Sequence, residues 1–402
     1  MPISARNQIW LKKVGKINRN QGMSYRKFKA AKIFTGNSWA RPGSVLITSK
    51  DGKVEGIVSP SEAGEDILEL AGILCPGFVN AHCHLELSHL KGQIPPSSGM
   101  VPFLMNIMSL RQAAPELIEM AINNADTEME KNGIVAVGDI ANTTHTVALK
   151  KRSRLHYHTF LECSGFISAT APERFESAKK MLQQFRASGP ASIVPHAPYS
   201  VSPELFRLIT QTAPEELLSM HNQESIAEQD FFRQGHSELT ELFRAIGVDI
   251  SFFKPSGVSS LQTVFPYFKH CRKILLVHNL TMSQDDLDFI KQAPHPEVFF
   301  CLCPSANQYI NERMPPLHLL QENKEKIVLG TDSLASNYQL SIIEEMKLLA
   351  AEFPSLSIDE LLQWATLNGA KALDMEGTLG SFEKGKQPGI LHLENWQVER
   401  LL

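Results

Sequence analysis

Five histidines and one aspartate stand at or near the ends of apolar runs: His82, His84, His196, His221, His278 and Asp332. Imidazole nitrogens and carboxylate oxygens are the donors that hold Zn²⁺ and similar divalent ions. His82 and His84 lie two residues apart at the end of an apolar strand, so their side chains point the same way. Their Cα atoms are then roughly 7 Å apart, and both rings can reach one ion at ~2.0–2.1 Å. A hydrogen-bonded pair of core histidines is the alternative that the spacing leaves open. Glu224 follows His221 by three residues, on the turn after the strand, where a carboxylate can exchange a proton with a water at the ion; a surface Glu on a helix start is the alternative. His278 closes the run Leu-Leu-Val-His278 and reads as a catalytic imidazole or a satisfied core residue. Asp332 reads as a ligand and proton acceptor, or as the N-cap of the next helix. His196 reads as a substrate contact. Glu86 continues the alternation of 82 and 84 and reads as a second substrate contact or a solvent-facing acid. Asp139 and Glu162 close two further strands as weaker candidates.

These residues need a scaffold that brings distant strand ends to one rim. Eight short apolar runs occur, at 74–84, 133–140, 155–162, 191–200, 217–224, 273–279, 297–304 and 326–333, each followed by a helical or polar stretch. Near-continuous apolar cores mark parallel strands buried on both faces, and strands alternating with helices mark βαβ units. Eight such units fit an α/β fold, a (β/α)8 TIM-like barrel, whose functional groups sit at the C-terminal strand ends. Ser283-Gln-Asp-Asp286 and Ser357-Ile-Asp-Glu360 resemble helix-capping patterns. The Gly/Pro/Ser-rich stretch 92–100 reads as a mobile loop at the barrel mouth, and Met100–Met108 as an apolar pocket wall or a core-facing helix. The expected division is a tail or upstream extension at 1–22, a small β-sandwich from 23–73 plus 379–402, and the catalytic barrel at 74–378.

Composition narrows the classes. The chain has 402 residues, 43% hydrophobic and 20% charged, with a net charge of −4. That balance gives no reason to expect nucleic acid or a membrane surface as partner. No apolar run approaches the ~20 residues of a membrane helix. The expected setting is cytoplasmic, the expected partner is a small-molecule substrate, and a homodimer is compatible with the sequence. The first 50 residues carry eleven Lys or Arg and no acid, a pattern shared by transit peptides. The six cysteines fall in apolar stretches and read as buried thiols. The cysteine pair of the small zinc nucleobase deaminases, a phosphate-binding Gly-Lys-Ser/Thr loop and His-Glu-x-x-His are all absent from the sequence.

The chain order His82-x-His84, His-Ala-Pro-Tyr-Ser200, His221-x-x-Glu224, Val-His-Asn279, Pro-Ser-Ala-Asn307 and Gly-Thr-Asp-Ser333 resembles the amidohydrolase superfamily. It is closest in kind to the cytosine deaminase and chlorohydrolase-like aminohydrolases. Ala365-Thr-Leu-Asn-Gly-Ala370 and Leu379-Gly-Ser-Phe-Glu-Lys-Gly-Lys386 resemble that family's end region; Gln387-Pro-Gly-Ile390 departs from its usual Gly-Lys-x-Ala-Asp-Leu ending. The resemblance implies His82, His84, His221 and Asp332 as metal ligands, Glu224 as proton shuttle and His278 as the group that polarises the attacking water. It implies His196 as a substrate contact. With no lysine near 196–202, it implies one divalent ion, Zn²⁺ or Fe²⁺. The implied activity is hydrolytic deamination of a purine-like or other amino-heterocycle. Hydrolysis of a cyclic amide or a C–halogen bond, and a non-catalytic barrel, are the alternatives. The run Asn80-Ala-His-Cys-His-Leu-Glu-Leu-Ser88 further resembles the aminodeoxyfutalosine deaminases of menaquinone biosynthesis, which implies 6-amino-6-deoxyfutalosine as substrate.

Overall fold

The computed structural model describes residues 25–293 and 296–402; the expected tail at 1–22 lies outside them. Every apolar run becomes a strand: β1 (Phe78–Cys83), β2 (Ile134–Ala141), β3 (His156–Cys163), β4 (Ala191–Pro195), β5 (Leu217–Asn222), β6 (Lys273–His278), β7 (Glu297–Leu302) and β8 (Ile327–Leu329). All residues of β1, β2, β5, β6 and β8 are buried. This is why their sequences show unbroken apolar runs instead of alternation.

The strands form two parallel runs of four, β1 to β4 and β5 to β8. The runs meet at two seams, and both seams lie at the candidate site. At one, the His221 amide donates to the His196 carbonyl at 2.9 Å. At the other, the Thr331 and Asp332 amides donate to the His82 carbonyl at 3.0 and 3.1 Å. Asn80 reinforces the second seam, donating to Thr331 Oγ1 at 2.8 Å and accepting from the Thr331 amide at 3.1 Å. Gly330 permits the close approach. A Cβ there would stand 2.8 Å from His82 Cβ and 2.9 Å from Cys301 Sγ, inside van der Waals contact of two buried groups.

Both capping patterns read in the sequence form: Ser283 with Asp286 and Ser357 with Glu360. All six cysteines are free and buried. Among the described residues, no helix is long and apolar enough to cross a membrane. Outside the barrel stand two four-stranded sheets. One joins Val54–Val58, Val45–Ser49, Tyr25–Lys29 and Leu68–Glu69. The other joins Gln397–Arg400, Ile390–Glu394, Ile73–Pro76 and Lys32–Ile33, so it pairs strands from both ends of the chain.

The stretch expected as a mobile loop is tethered instead. The Ser97 amide donates to the Tyr309 carbonyl at 2.6 Å, the Gly99 amide to the Ile310 carbonyl at 3.0 Å, and the Tyr309 hydroxyl to the Ile94 carbonyl at 2.6 Å. Gly and Pro content signals a turn in a local sequence, but these anchors come from residues more than 200 positions away.

Candidate metal centre and active site

Strand register brings four donors to one level. His221 pairs with Val277 and Asn222 with His278 between β5 and β6, while Cys83 bridges Asp332 between β1 and the end of β8. His84 Nε2 lies 3.2 Å from His82 Nε2, 3.1 Å from His221 Nε2 and 3.3 Å from Asp332 Oδ1. The same aspartate oxygen is 3.6 Å from His82 Nε2. His278 joins His82, His221 and Asp332 within mutual reach of one ion. The backbone bends sharply to present these groups. Gln223, His278, Asn279 and Asp332 have φ of 51°, 74°, 59° and 56°, a left-handed conformation that costs a non-glycine residue of order 1–3 kcal/mol and clusters at functional sites.

The donor set fits a divalent ion. The His84 Nε2 faces the Nε2 atoms of both His82 and His221, all buried, and an ion among them would take the lone pairs of all three rings and the Asp332 oxygen at once. Burial lowers the pKa of His82 to about 3 and also lowers that of His84, so both rings are neutral, as a ligand must be. His221 is driven the other way, to about 10: burial opposes its charge, but the Glu162 and Glu224 carboxylates outweigh it. Its proton is the one a metal would displace. Burial also opposes the charge of Asp332, yet the hydrogen bond with His82 leads the contacts that hold it well below the usual carboxylate range.

Asp332, His278 and Glu224 are held from behind. Ser336 donates to Asp332 Oδ2 at 2.5 Å. His278 Nδ1 lies 2.8 Å from Asn307 Oδ1, and its Nε2 faces Glu224 Oε1 at 3.2 Å. The Tyr199 hydroxyl donates to Glu224 Oε2 at 2.9 Å. Burial raises the pKa of Glu224, but His221 and His278 bring it to about 2. Beneath it, Glu228 accepts the amides of Gln223 and Glu224 at 3.1 and 3.0 Å, fixing the turn that presents the shuttle.

His196 lines the cavity, with Nδ1 2.6 Å from Ser200 Oγ. Glu86 does not line it, contrary to the expectation of a substrate contact. The chain leaves β1 at Cys83 and enters a 3-10 turn at Leu85–Leu90, so the strand alternation that pointed Glu86 inward ends before it. Its carboxylate accepts from Arg111 at 3.2 Å, from the Thr143 hydroxyl and amide at 2.7 and 2.9 Å, and from the Asn142 amide at 3.1 Å. Asp139 is also structural. It pairs with buried Lys150 at 2.5 Å and accepts the Leu85 amide at 2.8 Å. Glu162 sits at the centre, 3.1 Å from His221 Nδ1, and a second group of His84, Glu162 and His221 is close enough to share a ligand. Tyr199 and Asn307 lie inside quoted motifs and Ser336 three residues beyond one, yet the sequence singles out none of the three. Arg111 and Arg174 also line the cavity and had no local signal.

Above this floor is a cavity of about 370 Å³. Its outer wall is apolar, with Phe103, Leu104, Ile107 and Met108 from the helix Met100–Leu110 and Phe166 and Phe243 opposite. The Met100–Met108 segment is therefore pocket wall along one face.

The amidohydrolase family model matches residues 73–396. This chain belongs to the amidohydrolase family. An adenosine deaminase of Helicobacter pylori is 30% identical over 329 residues, covering 79% of this chain and 78% of that protein. An aminodeoxyfutalosine deaminase of Nitratiruptor sp. is 27% identical over 329 residues, covering 78% and 77%. Among solved structures, the Helicobacter pylori aminofutalosine deaminase in complex with methylthio-coformycin superposes with a TM-score of 0.77 at 24% identity, over 92% of this chain and 93% of that one; that likeness shows the fold. This amidohydrolase is an enzyme, a hydrolase of C–N bonds other than peptide bonds.

Proposed function

We propose that this amidohydrolase is a zinc-dependent deaminase of adenosine-like nucleosides, with 6-amino-6-deoxyfutalosine as its substrate. The observation that carries the reading is Glu224. It is a buried carboxylate set between His278 and Tyr199 at 3.2 and 2.9 Å, beside a cluster of three imidazoles and one carboxylate. In this reading His82, His84, His221 and Asp332 hold the ion, which when bound lowers the pKa of a water to near ~7. Three nitrogens and one oxygen suit Zn²⁺.

The chain's own groups then divide the work. Asp332 and His278 orient the attacking water. Glu224, held as a carboxylate, takes a proton from that water and passes it to the ring nitrogen beside the carbon under attack. The water oxygen bonds to that carbon, the hydroxyl of the resulting adduct gives its proton through Asp332 or Glu224 to the amine, and the carbon–nitrogen bond breaks to release ammonia and leave a ring carbonyl. Tyr199 keeps Glu224 aimed at this path. His196, at the cavity edge, contacts the base or the ribose. The apolar wall receives the remainder of the nucleoside. The domain division that accompanies the reading is a catalytic barrel at 74–378 and a small β-sandwich of 23–73 plus 379–402. Phe28, Leu46 and Ile390, drawn from both outer sheets, share one buried cluster and support that division, and Leu74 joins them, which puts the strand Ile73–Pro76 with the small domain.

The test is ammonia release by metal-loaded protein, compared as kcat/KM for 6-amino-6-deoxyfutalosine, adenosine, S-adenosylhomocysteine, guanine and cytosine. Ammonia from the first above all others is expected. A better competitor among the nucleosides overturns the substrate and keeps the deaminase; turnover without ammonia, on cyclic amides or halogenated rings, overturns both.

A further inference from the structure

The charges lining the cavity are segregated. Its carboxylates, Glu162, Glu224 and Asp332, are buried with the floor, whereas the two guanidinium groups that line it, Arg111 and Arg174, are half-buried and exposed, on its solvent side. Arg111 is engaged by Glu86 at 3.2 Å. The hydrogen bonds of Arg174 among the described residues go to neutral oxygens, from Nη1 to the Ser164 carbonyl at 3.0 Å and from Nε to Thr170 Oγ1 at 3.3 Å. These contacts fix the guanidinium and leave its charge uncompensated. Gly165 makes room for it, since a Cβ at that position would stand 2.3 Å from Arg174 Cδ.

We propose that Arg174, assisted by Arg111, is the specificity determinant of this cavity and binds a carboxylate at the far end of the substrate. The inference rests on the deaminase reading above. The carbon that loses its amine must lie at the floor, so the opposite end of the nucleoside, its 5′ substituent, reaches the outer wall. There the surroundings are apolar side chains and two cations. Such a site takes a carboxylate on an apolar arm. It disfavours an amino-acid terminus, because an α-ammonium would stand beside the Arg174 guanidinium, with Glu86 already engaged by Arg111 and the carboxylates that line the cavity all at its floor. A planar guanidinium binds a carboxylate through two parallel N–H donors. Arg174 is exposed, so water weakens the pair, and about tenfold in kcat/KM is expected, the low end for hydrogen bonds between charged groups.

The experiment compares 6-amino-6-deoxyfutalosine with its methyl ester in wild type, Arg174→Met and Gly165→Ala, alongside S-adenosylhomocysteine and 5′-methylthioadenosine. Wild type is expected to prefer acid to ester by about tenfold, through KM and not kcat. Arg174→Met should bring the ratio close to one, and Gly165→Ala should shift it the same way by displacing the guanidinium. An acid-to-ester ratio equal in wild type and Arg174→Met overturns the subsite, as does ammonia release from the neutral nucleosides alone. Absence of ammonia from every nucleoside overturns the deaminase reading itself, a different and separable result.

Discussion

The floor of the cavity and its outer wall are assembled from different kinds of element. The floor takes its side chains from the ends of β1, β5, β6 and β8, and none of His82, His84, His221, Glu224, His278 or Asp332 is more than 8% exposed. His221, Glu224, His278 and Asp332 each have a partner outside the ligand cluster that fixes their direction. The wall takes its side chains from the helix Met100–Leu110, where Met108 is 42% exposed, and from the segments after β3 and β5. Its apolar contacts are dispersive and undirected, and only its arginines add direction. Groups that must meet a reacting atom within tenths of an ångström stand on strands whose register cannot slip without turning every side chain over. Groups that recognise the rest of a substrate stand on a helix that can repack. Chemistry and selectivity are therefore expected to respond separately to substitution.

Loss of the ion should have the largest effect. Purified protein is expected to carry about one equivalent of metal, and His82→Ala with His84→Ala should carry none and be inactive. Elemental analysis checks this; a stoichiometry near two, or full retention by the double variant, breaks the assignment of the floor. Glu224→Gln should follow, with kcat down by ~10²–10⁴ while metal content and thermal midpoint are unchanged. Near-normal turnover would move the proton shuttle elsewhere.

The acid behind the last floor strand gives a pH test. Glu345 accepts the Ser305 amide and the Asn337 side chain at 2.8 and 2.9 Å, and burial raises its pKa to about 7 from 4.5. The folded protein thus binds this proton more tightly than the unfolded chain does. The resulting stability is fully present below about pH 4.5 and is lost as pH rises towards 7. The loss has a slope of at most ~1.4 kcal/mol per pH unit. Denaturant titrations across that window should show the decline, and Glu345→Gln should flatten it; an unchanged slope in the variant refutes the assignment.

Glu162→Gln tests whether the floor extends behind its ligands. A carboxylate against the second nitrogen of a ligand histidine typically contributes ~10–100-fold to metal affinity, so the variant should lose metal to a competing chelator that much more readily. Smallest of all, Met108→Ala on the wall should leave stability within about 0.5 kcal/mol and change KM a few-fold at most. A loss of kcat there as large as that from Glu224→Gln would erase the distinction between the two regions.

Much of the floor could be read directly in the sequence. A parallel strand buried on both faces announces itself as an apolar run, and a residue's place at its end is a local matter. His82, His84, His221, His278 and Asp332 were therefore identifiable before any contact was known. Spacing alone could not say where a side chain goes once the strand has ended. Glu86 obeys the alternation of His82 and His84 in sequence, yet the turn beginning at Leu85 carries it behind the wall to hold Arg111 and the amides of Asn142 and Thr143. Nor could local pattern place Arg174, on the helix after β3, in the same cavity as an apolar helix that precedes β2. Strand direction follows from the dihedral angles of a few consecutive residues. The wall depends on how loops and helices distant in sequence pack together, and only the closed barrel decides that.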